Sequence, residues 1–324
     1  MGKTAIQWTD ETWNPITGCS KVSQGCKHCY AERLFPRVYR ERKFTSIQCH
    51  EDRLMQPLHW RKPRRVFVNS MGDLFHEDVP VQFIMRVFAV MAQCPQHQFQ
   101  ILTKRPGRMQ AILRGKYFPG KFWDAAMVAG DLSSPPTGIV YPLSNVWLGT
   151  SVEDQQTADE RIPWLLETPA TLRFVSYEPA LGPVDFEAFF CTYDHNGESN
   201  GPRCNPDGSP ALGWVIVGGE SGPYARPMHP DWARSVQQEC YEAGVPFFFK
   251  QRGNWTWGTV EERKQLSPDR ARTKVSFERG ASPVGNGEWH YWDDSLVSIR
   301  TTKKAAGRLL DGRTWDEMPE RRAA

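Results

Sequence analysis

Long hydrophobic runs are absent from this chain of 324 residues. No apolar stretch approaches the roughly 20 residues that a transmembrane helix needs, and the first ten residues, MGKTAIQWTD, lack the apolar core of a secretory signal. We therefore expect a cytoplasmic protein with no membrane association. Cytosolic thiols are mostly reduced, so the eight cysteines indicate metal binding more than a disulfide framework.

Two nucleotide-binding motifs are also missing. The sequence has no G-x-G-x-x-G after an early strand and no G-x-x-x-x-G-K-[ST], which disfavours a dinucleotide-binding fold and a P-loop enzyme. The net charge of +3 is small, and 40% hydrophobic with 24% charged residues is an ordinary globular composition. The function must therefore be sought in local motifs.

The clearest motif is a loop with three cysteines, Cys19, Cys26 and Cys29, spaced C-x6-C-x2-C. A structural zinc ion takes four protein ligands, and a 4Fe–4S cluster usually takes four cysteines. Three cysteines without an obvious local fourth favour a cluster with one iron left open for a small molecule. Two alternatives stay open. Zinc could complete its shell with His28, Cys49, His50 or His59, or the cysteines could be buried apolar residues without metal.

Short apolar strands alternate with helical segments along most of the chain, a pattern typical of a parallel sheet. We predict an α/β fold with a complete or partial (β/α) barrel over residues 1–250, interrupted by insertions at about 115–145 and 187–212. Residues 251–324 form a C-terminal extension rich in tryptophan and basic residues. The second insertion holds Cys191, His195 and Cys204, which predict either a second metal site or a variable surface loop.

Polar residues follow the predicted strands, and barrel chemistry gathers at the carboxyl ends of strands. Lys104 and Arg105 are expected to hold an anionic group. Together with Glu178 they are the candidate catalytic residues. Further candidates for gripping a cofactor or substrate follow other strands: Ser70, Met71, Gly72, Asp73, Ser151, Glu153, Gly218, Gly219 and Glu220. Ordinary turn chemistry is the alternative interpretation for each of them.

Positive charge is concentrated in one block. Between Arg33 and Arg65 ten basic residues face three acidic ones, a net +7. The segment from Lys250 onward adds a net +4 and several tryptophans, including Trp255 and Trp257. Such a pattern predicts salt-dependent nucleic-acid binding with base stacking. A solvated helix face and a flap packed over the barrel are the alternatives.

These residues resemble the radical SAM superfamily, and over nearly the whole length the phage and bacterial three-cysteine-motif family. The resemblance is carried by the segments Trp13–Cys19, Gly25–Glu32, Phe67–Pro80, Leu102–Pro106, Arg173–Pro179, Val217–Gly222 and Gly307–Trp315. One departure is the first cysteine gap, which is six residues here and three in the usual superfamily motif.

The resemblance implies a partial barrel with a 4Fe–4S cluster on the three cysteines and S-adenosylmethionine on the fourth iron. In the superfamily this cofactor is cleaved reductively to an adenosyl radical, which abstracts hydrogen from the substrate. By position His28 would lie near the adenine, and Ser70–Asp73 would bind the methionine amino group. An external electron donor and a monomeric protein are expected. The competing hypothesis is a non-catalytic nucleic-acid-binding protein stabilised by zinc or a cluster.

Overall fold

The structure is a computed structural model of the chain. It describes residue 4 and residues 6–115, 140–190, 192–193, 199–200, 204–205, 209–259 and 288–320. Fourteen strands lie in the described residues: β1 (Glu11–Trp13), β2 (Ile16–Thr17), β3 (Gln48–Cys49), β4 (Arg65–Val68), β5 (Gln98–Thr103), β6 (Val146–Val152), β7 (Leu172–Tyr177), β8 (Thr192–Tyr193), β9 (Ser199–Asn200), β10 (Trp214–Gly218), β11 (Phe247–Gln251), β12 (Trp255–Thr259), β13 (Trp289–Tyr291) and β14 (Leu296–Arg300).

Seven of these strands form one parallel sheet in the order β1-β4-β5-β6-β7-β10-β11. The α-helices that accompany the strands in the described residues are α1 (Tyr30–Val38), α2 (Glu51–Leu54), α3 (Val81–Ala92), α4 (Pro106–Leu113), α5 (Gln155–Leu166), α6 (Pro230–Glu242) and α7 (Lys303–Ala306). The sheet curls into a half-barrel, which confirms the predicted partial (β/α) barrel. All carboxyl ends of its strands therefore open at one mouth.

The outer face of the sheet is buried under helices. Alternate residues of the strands, such as Val66, Ile101 and Val215, join the main apolar core together with the buried face of α3. Helix α3 starts directly after Pro80, which occupies the N-cap position in an extended conformation. Helix α5 starts with a capping box, in which the Asp154 side chain accepts from the Thr157 backbone N–H. Each of these two helices therefore begins after the polar residues that follow its strand.

The inner face carries a second, aromatic core near the amino ends of the strands. It consists of Trp8, Phe67, Trp147, Phe174, Trp214, Ile216 and Phe248. Gly149 belongs to the same face, and an added Cβ there would lie 2.6 Å from the Phe174 ring. The aromatic residues therefore fill the bottom of the half-barrel, and polar side chains occupy the mouth above them.

The C-terminal extension covers the free edge of β11. Phe248 forms an antiparallel bridge with Asp316, and the Phe249 N–H donates to the Trp315 carbonyl oxygen at 2.9 Å. An exposed edge strand invites pairing with other chains, so this segment closes the sheet on that side. The extension also holds the antiparallel sheet β12-β14-β13, which the sequence analysis did not predict because the repeating strand–helix pattern ends before it.

The two predicted insertions are only partly described. Residues 116–139 of the first lie outside the described residues, as do Cys191 and His195 of the second. Cys204 is disulfide-bonded, which contradicts the expectation that it could bind metal as a reduced thiol. In the ranges that the structure covers, no helix combines the length and apolarity required to cross a membrane.

Candidate metal centre at the barrel mouth

The cysteine loop connects β2 to α1 and lies at the carboxyl ends of the parallel strands. Gly18 starts it with φ +98°, and its N–H donates to the Met71 carbonyl oxygen at 3.0 Å. An added Cβ on Gly18 would lie 2.6 Å from the Ser46 carbonyl oxygen. Only glycine combines this backbone conformation with so close an approach, so the loop enters the mouth along one defined path.

Cys19, Cys26 and Cys29 all carry free thiols. Cys26 lies within electrostatic range of both other thiols. Burial raises the pKa of Cys19 to about 12, with Asp73 adding to the shift and Arg105 opposing it. Burial also raises the pKa of Cys29, against the N–H groups of Ala31 and Glu32 at the start of α1. A metal cation can replace the protons of these thiols, because the thiolate is the form of cysteine that binds metal.

The three thiols are not arranged around a single point. Within residues 6–115, 140–190 and the other described ranges, no group of three His, Cys, Asp or Glu side chains is placed to hold one metal ion. A 4Fe–4S cluster takes each cysteine on a different iron, so its thiolates need not converge on one point. His50, a candidate fourth zinc ligand, instead shares a 2.7 Å hydrogen bond with the Thr17 hydroxyl.

Arg105 connects Cys19 to the strand exits. Its Nη1 donates to the Cys19 Sγ at 3.6 Å and to the Asp73 carboxylate at 3.1 Å. Its Nη2 donates to the Ser20 hydroxyl at 2.8 Å, and its Nε donates to Glu77 at 2.9 Å. The guanidinium is therefore bound to the cysteine loop and to carboxylates, and the prediction that Arg105 holds an anionic substrate group does not fit this arrangement.

Asp73 has no acceptor position left for a ligand. Its carboxylate accepts from the N–H groups of Phe75 and Lys104, from the Thr103 hydroxyl and from Arg105, at 2.7–3.2 Å. A carboxylate offers about four such positions. Asp73 thus holds Arg105 in place, whereas the sequence predicted that it accepts hydrogen bonds from the cofactor.

Lys104 is likewise paired. Its ammonium group forms an ion pair with the fully buried Glu153, which also accepts from Arg161 at 3.1 Å and from the Ser23 hydroxyl at 2.9 Å. Ser23 belongs to the cysteine loop, and an added Cβ on Gly25 would lie 2.6 Å from the Glu153 Cδ. Glu153 therefore joins the cysteine loop to the exits of β5 and β6.

The predicted Ser70–Gly72 segment is bound to both ends of the cysteine loop. The Asn14 side-chain oxygen accepts from the Ser70 hydroxyl at 3.2 Å and from the Met71 N–H at 2.9 Å. The Tyr30 hydroxyl donates to the Ser70 carbonyl oxygen at 2.7 Å. Ser70, Met71 and Gly72 are half-buried, so they line the mouth next to the cysteine loop.

The remaining predicted residues lie at the exits of β6, β7 and β10, apart from His28, which lies in the cysteine loop. Ser151 is buried on the inner face, and its carbonyl oxygen accepts from Arg161 at 2.7 Å. Glu220 is paired with Arg226 at 2.7 Å, and Gly219 packs against the backbone of Arg252. His28 packs 5.8 Å from the Tyr224 ring, and burial lowers the pKa of its imidazole. Gly218 adjoins Glu178, with 3.1 Å between an added Cβ and the carboxylate.

A family profile described as "Protein of unknown function (DUF5131)" matches residues 3–319. The chain belongs to this family. Among curated proteins no match was found. The resemblance to the three-cysteine-motif family stays a prediction, because the description of the DUF5131 family names no motif and no activity.

Two solved structures are similar to this DUF5131 chain at low identity. One is a mutant of spore photoproduct lyase, with 9% identity and a TM-score of 0.40, covering 94% of this chain and 73% of that one. The other is a different spore photoproduct lyase mutant with bound AdoMet and dinucleoside spore photoproduct, with 10% identity and a TM-score of 0.37, covering 91% and 69%.

The predicted nucleic-acid surface is not continuous in the DUF5131 chain. Arg33 and its exposed neighbours on α1 lie at the mouth, whereas Arg61 and Lys62 precede β4 at the opposite end of the barrel. Trp255 and Trp257 are 3% and 7% exposed. Buried rings cannot stack on bases, so these two tryptophans belong to the packing of the extension.

Several site residues were not predicted. No sequence motif marks them, and each reaches the mouth only through the curl of the sheet or the path of the extension. They are Arg161, Arg226, Lys250, Gln251 and Lys303. The sequence marks only Lys250 and Gln251, because they form a polar pair at the end of an otherwise apolar strand.

Proposed function

We propose that this DUF5131 chain is a radical-SAM-type enzyme. Cys19, Cys26 and Cys29 would hold a 4Fe–4S cluster, and the open iron would take S-adenosylmethionine. The observation that supports this best is the attachment of the cysteine loop to the strand exits of a parallel half-barrel through Arg105 and Glu153. Chemistry in such barrels takes place at that end of the sheet.

The chain's own residues would position the reactants. Arg105 donates to Cys19 and keeps the loop against β5. Ser70–Gly72 would offer backbone polar groups to the amino-acid end of S-adenosylmethionine, since Asp73 is saturated by protein donors. The aromatic residues below the mouth exclude water from the floor of the site. When bound, the two groups would supply reductive cleavage and hydrogen abstraction.

The direct test is anaerobic reconstitution with iron and sulfide, followed by reduction in the presence of S-adenosylmethionine. We expect a brown protein that forms 5′-deoxyadenosine, and no product from a Cys26→Ala variant treated in parallel. A colourless protein that retains zinc would instead support the non-catalytic alternative. A brown protein that forms no 5′-deoxyadenosine with a competent reductant would contradict the radical chemistry while leaving the cluster in place.

A further inference from the structure

Polar side chains from β7 and β11 converge on the inner face of the half-barrel. The register of β10 against β11 shifts between Val217 and Gly218, so β11 contains a bulge. The bulge lets two consecutive residues reach one carboxylate. Lys250 Nζ lies 2.7 Å from the Glu178 Oε2, and Gln251 Nε2 donates to the Glu178 Oε1 at 3.1 Å. Bulges commonly aim side chains in this way beside functional sites.

Gln251 leaves a buried acceptor unpaired. The residue is 3% exposed, and its amide nitrogen donates to Glu178 and, at 3.4 Å, to the Gly219 carbonyl oxygen. These bonds fix the orientation of the amide, yet Oε1 has no partner in the described part of the molecule. Buried polar atoms are nearly always hydrogen-bonded. Because Gln251 lies at a strand exit that opens to the mouth, a donor on a bound molecule can supply the missing partner.

The C-terminal extension brings another cation to this cluster. The Thr301 N–H donates to the Asn254 carbonyl oxygen at 2.7 Å, and the Arg252 N–H donates to the Gly307 carbonyl oxygen at 3.4 Å. The segment that carries Lys303 is thereby tied to the exit of β11. Lys303 is exposed at the rim of this cluster, within electrostatic range of Lys250 and Glu178. It makes no ion pair with any residue that the structure describes.

The cluster faces the cysteine loop. Tyr30, which directly follows Cys29, lies within electrostatic range of Glu178 and donates to Ser70. The curl of the sheet thus brings the exits of β7 and β11 back towards the metal loop. Glu178 neutralises only one of the two lysines, so the cluster keeps a net positive charge.

We propose that Lys250, Lys303 and Gln251 form the binding site for a phosphate group of the substrate, with a neighbouring hydroxyl or N–H group donating to the Gln251 Oε1. Two flexible ammonium groups suit the oxygens of a phosphate, whereas the planar fork of a carboxylate favours arginine. Calling the bound molecule a substrate rests on the proposed function. Phosphate binding itself does not depend on it.

The test is isothermal titration calorimetry at low ionic strength on the full-length reconstituted protein. Three probes are titrated separately: inorganic phosphate, a nucleoside 5′-monophosphate and a short single-stranded oligonucleotide. Lys250→Met and Lys303→Met should each weaken binding of all three by about tenfold or more. Gln251→Met should weaken the nucleoside monophosphate but not inorganic phosphate.

Lys304→Met is the matched control, because Lys304 is the adjacent lysine on the same helix, α7, and is exposed like Lys303. It should bind like the wild type. Tighter binding of the oligonucleotide than of the monophosphate would support the site and identify nucleic acid as the source of the phosphate. No binding of any probe by the wild type, or equal losses in Lys303→Met and Lys304→Met, would overturn the proposal.

Failure of the site and failure of the proposed function are distinguishable. Lysine-dependent phosphate binding in a preparation that forms no 5′-deoxyadenosine would support this site and refute the radical chemistry. Formation of 5′-deoxyadenosine by a preparation that binds none of the probes would refute this site alone.

Discussion

Three polar residues and one thiol surround the guanidinium of Arg105, which is 7% exposed. Asp73, Glu77 and Ser20 hold it from three sides, and the fourth side faces the Cys19 Sγ at 3.6 Å. The His76 imidazole supports this set by sharing a 2.8 Å hydrogen bond with the Ser20 hydroxyl. At the scale of single residues, substitutions can therefore separate metal binding by the cysteines from the electrostatic effect of Arg105.

Single replacement of Cys19, Cys26 or Cys29 by Ala should abolish stoichiometric binding of iron and sulfide, because each thiolate would hold a different iron. Iron and acid-labile sulfide per chain are measured after anaerobic reconstitution. Cys94→Ala and Cys240→Ala are the controls, since both free thiols are buried in the apolar core. Equal iron loss in the two sets would show that the cluster is not held by these three residues.

Arg105→Gln should lower the reduction potential of the reconstituted cluster. Hydrogen bonds and positive charge near a cluster sulfur stabilise the more negative, reduced state, and this substitution removes the charge beside Cys19. The midpoint potential is measured by redox titration followed by electron paramagnetic resonance. Arg114→Gln is the control, because Arg114 pairs with Glu167 on the exposed surface and contacts no thiol in the described residues. The same potential in Arg105→Gln and wild type would contradict the role.

Asp73→Ala should disturb the cluster through Arg105, because the lost carboxylate accepts four hydrogen bonds from the protein. Because the removed carboxylate is a negative charge beside Arg105 and Cys19, we expect the midpoint potential to rise, opposite in sign to the change in Arg105→Gln. S-adenosylmethionine affinity, measured calorimetrically on the same sample, should change less than in Ser70→Pro, which alters the backbone beside the cysteines. Lost affinity with an unchanged potential would instead assign Asp73 to the cofactor.

At the scale of elements, the cysteine loop depends on close packing against β6. Gly25 lies against the Glu153 side chain, which Ser23, Lys104 and Arg161 hold in place. A methyl group at residue 25 cannot be accommodated by rotating that carboxylate, because all three partners would lose their bonds. The loop itself would have to move.

Gly25→Ala should therefore lower iron retention and lower the free energy of unfolding by about 1–3 kcal/mol, as overpacking usually does. Iron content and urea unfolding are measured on the same preparation. Gly107→Ala is the control, because an added Cβ in α4 would meet only the Trp164 ring at an ordinary 3.8 Å. Full iron content in Gly25→Ala would show that the loop can shift without losing the cluster.

At the scale of the whole molecule, buried histidines make stability depend on pH. Burial lowers the pKa of His97, which packs against Trp60 and Phe99 in the core. A lowered pKa means that the unfolded chain, with a histidine pKa near 6.5, binds this proton more readily than the folded chain. The stabilisation is complete above about pH 6.5 and is lost as the pH falls below it.

The free energy of unfolding should accordingly change little between about pH 8 and about pH 6.5 and fall from there towards about pH 5.5. His97 alone contributes a slope of up to ~1.4 kcal/mol per pH unit below its unfolded pKa. Urea unfolding of the metal-free protein across this range measures the slope, and His97→Gln should reduce it. Parallel pH profiles for the two proteins would contradict the assignment to His97.

Much of the fold was predictable because the strands are short, apolar and repeated. Each buried strand such as Trp214–Gly218 is followed by polar residues and a helix, and a parallel sheet is the arrangement that buries both of its faces. The three cysteines were identifiable because their spacing is local. Local spacing and periodicity can be read directly from a sequence.

The partners of the polar residues were decided only by the tertiary structure. Lys104 and Arg105 look alike in sequence as free cations, yet both are paired with carboxylates that arrive from other strand exits. Lys303 lies 53 positions after Lys250 and joins it only because the extension returns to the exit of β11. Hydrogen bonds act over a few ångströms, so which charges remain available for a ligand depends on the curl of the sheet and not on the order of residues.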